Sequence, residues 1–90
     1  MPYITKTEKG YTLANGQVVI KSLFYREHPQ GGIEIMSMTP KALFSKNIET
    51  QIGIALDEQE AQEKILKLAQ KWDDEYFITN PQVLHPKKAS

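Results

Sequence analysis

A chain of 90 residues, 40 % of them hydrophobic and 24 % charged, has the composition of a globular protein and the length for one core, not two. The absence of cysteine excludes disulfides, thiolate zinc sites and cysteine nucleophiles, so packing alone must stabilise it. A formal net charge of zero argues against a partner drawn in by strong electrostatic steering, such as a nucleic-acid backbone.

From the N-terminus, "MPYITKTEKG" lacks the basic-then-apolar pattern of a signal peptide, and no run is long and apolar enough for a membrane helix, so a cytoplasmic protein is expected. Gly10 stands where a three-residue hairpin loop takes a left-handed residue, which predicts that "YITKT" pairs back onto "YTLA". Asn15 and Gly16 then separate two β-rich runs and predict a type I′ turn, with Ala14 opposite Gln17, Leu13 opposite Val18 and Tyr11 opposite Ile20. That register collects Tyr11, Leu13, Val18, Ile20 and Phe24 on one face and Val19, Lys21, Leu23 and Tyr25 on the other. "HPQGG" is a loop, "IEIMSM" a strand, and "TPKALF" a single helical turn with Thr39 as cap and Pro40 at its first position. "IETQIGIAL" alternates as a fifth strand, with Ile48, Ile52, Ile54 and Leu56 on one side and Glu49, Gln51 and Gly53 on the other.

The helix signals follow. Asp57 can cap the first amides, Glu60 completes a capping box, and Glu58 places negative charge at the positive end of the dipole. At helical spacing Ala61, Ile65, Leu68, Ala69, Trp72 and Tyr76 form one apolar stripe, and Glu60 with Lys64 and Glu63 with Lys67 pair on the solvent side. Asn80 and Pro81 mark the latest end of the helix. The expected fold is α+β: an antiparallel β-meander of four to five strands with one long C-terminal helix packed on one face. Residues 1–80 form a single domain and 81–90 a flexible C-terminal tail. The predicted core is Tyr11, Leu13, Val18, Ile20, Phe24, Ile52, Ile54, Ile65, Leu68 and Trp72. This order of elements resembles small bacterial or phage proteins, an architectural likeness that carries no function.

Little in the chain points to catalysis. His28 and His85 each precede a proline and have no second ligand at metal spacing; Ser22, Ser37 and Ser45 lie in no nucleophile elbow; "QGG" lacks the context of a phosphate loop. No enzyme, metal or cofactor is expected. Charge is uneven: residues 57–77 carry three Lys against seven Asp or Glu, and Asp73, Asp74 and Glu75 form an acidic patch that either solvates the helix or meets a basic partner. One helix covers one sheet face, which leaves Val19, Lys21, Leu23 and Tyr25 as the predicted partner-binding surface. The expected function is a small non-catalytic binding or regulatory module acting through protein contact or homodimerisation, as an accessory protein or inhibitor of a phage or mobile element does. The alternative is nucleic-acid binding on the Lys/Tyr face.

Overall fold

The computed structural model describes residues 1–40 and 47–85. Five strands, β1 (Pro2–Thr7), β2 (Gly10–Asn15), β3 (Val18–Glu27), β4 (Ile33–Thr39) and β5 (Ile48–Ala55), form one antiparallel sheet in sequence order. Helix α1 (Glu58–Gln70) continues past Lys71 into α2 (Trp72–Tyr76), and Pro81–Val83 adds a 3-10 turn. The α+β meander with its C-terminal helix is as the sequence predicts. Of the helical turn expected over "TPKALF", Thr39 ends β4 and the rest, beyond Pro40, lies outside the described residues.

Helix α1 starts as its caps dictate. Asp57 is extended and accepts the Glu60 amide at 2.8 Å, while the Glu60 carboxylate reaches back to the Leu56 amide at 2.9 Å. The helix lies across β2 to β5 and buries Ala61, Ile65, Ala69 and Trp72, with Leu68 and Tyr76 half-buried beside them. The expected stripe is therefore the face that meets the sheet.

The sheet supplies a different partner set from the one the alternation predicts. Asn15 pairs with Val18, so the loop is Gly16 and Gln17, and only Gly16 has positive φ (64°), the pattern of a type II′ turn. Beyond Ala14 opposite Val19, a bulge sets Leu13 opposite Lys21 and leaves Ile20 as the extra residue, so Tyr11 faces Leu23 instead of Ile20. Beyond Ile20 the moved turn and the bulge together shift the register by an odd number of residues, which exchanges the two faces of β3 from Lys21 onward. Leu23 and Tyr25, predicted to be on the open face, are each 5 % exposed and pack with Ile4, Tyr11, Leu13 and Ile35 under the helix. Val18 is exposed, and Ile20 and Phe24 are only half-buried.

A second bulge does the same to β5. Ile35 pairs with Gly53 and Met36 with Gln51, which makes Ile52 the extra residue. Directly opposite residues share a face, so Gly53 and Ala55 lie on the helix side with Ile35 and Ile33, while Ile54 sits opposite Glu34 on the other side. Ile52 and Ile54, predicted to be core, are exposed.

Gly10 serves close approach, not turn geometry: the β1–β2 loop is only Glu8 and Lys9, and a Cβ on Gly10 would lie 1.8 Å from the Leu23 carbonyl oxygen. The expected tail also begins later. Leu84 is fully buried in the core and its carbonyl accepts from the Gln70 side chain at 2.9 Å, so residues 81–85 belong to the domain; 86–90 lie outside the described residues. Among the described residues no helix is long and apolar enough to cross a membrane.

Candidate functional site

The predicted contact residues do not form a surface. Val19 is partly exposed near the β2–β3 hairpin loop, Lys21 holds its ammonium 5.6 Å from the centre of the Tyr76 ring, and Leu23 and Tyr25 are core. The Lys/Tyr platform expected for nucleic acid is therefore not available on this face. The acidic patch is divided: Asp73 pairs with the His85 ring, whereas Asp74 and Glu75 are exposed.

Among the described residues one edge of the sheet is also left uncovered. In this strand order β1 and β5 are the two outer strands, and the chain treats them differently. On β1 the Asn80 carboxamide accepts the Ile4 amide at 2.9 Å and donates to the Ile4 carbonyl at 2.8 Å, and the Thr79 amide and hydroxyl both donate to the Pro2 carbonyl. The segment after α2 thus occupies that edge. Among the described residues the β5 backbone receives one such bond, from Lys64 Nζ to the Ile54 carbonyl at 2.8 Å.

The ladder shows which groups of β5 face outward. The His28 amide bonds the Gly32 carbonyl, and counting alternate pairs from there turns Glu34 toward β3 and Ile33 and Ile35 toward β5. Gly53 and Ala55 answer them, so both main-chain groups of Ile54 point away from the sheet. Apolar side chains are exposed at both ends of this edge, Ile54 at 66 % and Leu56 at 89 % with Ile52 beside them and Ile48 at the start of β5, and the polar Glu49, Thr50 and Gln51 are exposed between. Edge strands left free are usually blunted by charge or cover; the one carboxylate of β5, Glu49, is already bound to Arg26 at 3.1 Å.

Two grooves flank the edge. On the helix side a groove of about 410 Å³ has Ile35, Ile52, Gly53 and Leu68 as its floor and Lys64, Lys67 and Lys71 as its rim. Lys64 is shared between Glu60, at 3.2 Å, and the Ile54 carbonyl. Lys67 and Lys71 have no carboxylate partner among the described residues, and the Glu63–Lys67 pair expected from spacing is not formed. At the loop end a second groove of about 580 Å³ lies between His28, Gly31, Gly32 and Ile33 on one side and Gln51, Ile54 and Leu56 on the other.

The remaining polar cluster is engaged within the fold. Glu34, buried opposite Arg26, accepts from Arg26 Nε at 2.5 Å, and its other oxygen lies 3.5 Å from His28 Nε2. Arg26 also reaches Glu49, so one guanidinium ties β3, β4 and β5 together, and these carboxylates, Glu34 foremost, raise its pKa above the ordinary value. His28 Nδ1 accepts the Gln30 amide at 3.1 Å. Each group here already has a partner within the turn or sheet.

No family model matches this chain, and neither a curated protein nor a solved structure is significantly similar to it. The residues that sequence reasoning misses are Ile54, Leu56, Lys67 and Lys71. The signal is present in "IETQIGIAL", whose apolar alternation reads as core but lies on the outer edge.

Proposed function

We propose that the protein is a small non-catalytic binding module that works through protein contact, and that β5 is the contact strand. The observation that carries this reading is the asymmetry of the two sheet edges: Thr79 and Asn80 close β1, whereas β5 leaves the main-chain groups of Ile54 facing outward among exposed Ile48, Ile52 and Leu56. An open edge offers hydrogen bonds along the backbone, and its side chains supply apolar area, the two components by which an extended segment joins a sheet.

The test is a comparison of partner capture and self-association between the natural protein and two variants. Ile54→Pro removes the outward amide, and Ile54→Thr keeps it. Association abolished in the proline variant and retained in the threonine variant supports the reading. Association that survives in a folded proline variant removes β5 from the function.

A further inference from the structure

The occupant of the β5 edge can be narrowed by charge, on the reading that this edge is the contact strand. We propose that it receives an extended acidic segment of a partner protein, which adds to the sheet as a sixth strand and sets carboxylates on alternate residues against Lys67 and Lys71.

An added strand places alternate side chains on the two faces of the sheet. Those on the helix side enter the groove whose floor is Ile35, Gly53, Leu68 and Ile52. Gly53 contributes no side chain there, so the floor stays low where the strand joins; Ile35 Cδ1 lies 3.6 Å from where a Cβ would stand. The rim above it is positive, since Lys67 and Lys71 are exposed and without carboxylate partners among the described residues. The helix as a whole is acidic, with seven carboxylates against three lysines over residues 57–77, yet all three lysines line this one groove. The positive charge of the segment is thus concentrated where an added strand would pass.

A second copy of the chain fits less well. Antiparallel pairing of β5 with its own copy, about a twofold perpendicular to the sheet, puts both helices on the same side of the joined sheet, with the two lysine rows facing each other. A single-stranded nucleic acid carries the right charge but has no regular main-chain amides to continue the ladder.

The experiment titrates the labelled full chain with three probes: a peptide of alternating Glu and Val, its Lys and Val counterpart, and oligo(dT). The Glu/Val peptide is expected to bind, to weaken as salt rises, and to bind roughly tenfold more weakly to the Lys67→Glu/Lys71→Glu variant, whose changes lie outside the core. It is also expected to lose its binding to Ile54→Pro and to keep it with Ile54→Thr. Equal binding of the Lys/Val peptide overturns the acidic assignment and leaves the contact strand standing. Preference for oligo(dT), unaffected by Ile54→Pro, overturns both. No binding of any probe, together with a dimer that Ile54→Pro dissolves, overturns the acidic segment in favour of a second copy. No binding and no dimer overturns both readings.

Discussion

Asn80 stands beside Ile4 as a strand residue would, its side-chain amide giving and taking the two hydrogen bonds that a neighbouring backbone would exchange, at 2.8 and 2.9 Å. Seventy-six residues separate the two, so this one side chain anchors the end of the chain to its first strand. Asn80→Ala leaves a half-buried amide and carbonyl without partners and is expected to cost about 1–3 kcal/mol. Asn80→Asp is expected to be no better, because it keeps the acceptor for the Ile4 amide and sets a carboxylate against the Ile4 carbonyl. Denaturant unfolding gives the stability, and hydrogen exchange at the Ile4 amide should accelerate in both variants; an unchanged exchange rate would show that the edge is closed by something else.

The exchanged faces of the sheet give a paired prediction. Leu23→Ala removes a side chain packed against Tyr11 and the helix and should cost roughly 2–5 kcal/mol, whereas Ile54→Ala should change stability by no more than about 0.5 kcal/mol. Strict alternation, from an Asn15–Gly16 turn in β3 and along "IETQIGIAL" in β5, predicts the reverse order. Equilibrium unfolding of the two variants decides between the registers.

The helix start carries a pH dependence. The Leu56 amide, followed by Lys64, holds the Glu60 carboxyl below the ordinary glutamate range. A carboxyl lowered in the folded state stabilises the fold above its unfolded pKa of about 4.3, and that contribution is lost as pH falls through the lower folded value. Glu60→Gln should therefore be less stable than the natural protein at neutral pH, and the two stability curves should converge below about pH 4. Curves that stay parallel through the acid range would remove Glu60 from the cap.

How much of this is legible in the sequence differs between helix and sheet. Asp57, Glu60 and the stripe from Ala61 to Tyr76 act within a few residues of each other, so local spacing determines them. The strands are legible as strands, but their faces are not. A face depends on counting by twos from a turn, and single extra residues at Ile20 and Ile52 reverse the count without altering composition. In β5 size misleads as well: the large side chains of Ile52 and Ile54 read as core, while the small Gly53 and Ala55 are the residues the helix lies over. The candidate site is less legible still. That β5 is left open among the described residues follows from strand order and from Thr79 and Asn80 being committed to the opposite edge, neither of which is a property of β5's own residues.

On the proposed function, another chain joins this sheet at β5 and not at β1. Residue-specific amide exchange and chemical-shift mapping of the isotope-labelled protein, with and without the Glu/Val peptide, test it directly. The Ile54 amide is expected to exchange fast in the free protein and to become protected on binding, with shifts spreading to Gly53, Lys67 and Lys71, while the Ile4 amide is protected throughout and does not move. Protection of Ile54 already complete in the free monomer, or shifts confined to β1 and the Leu84 segment, would contradict it.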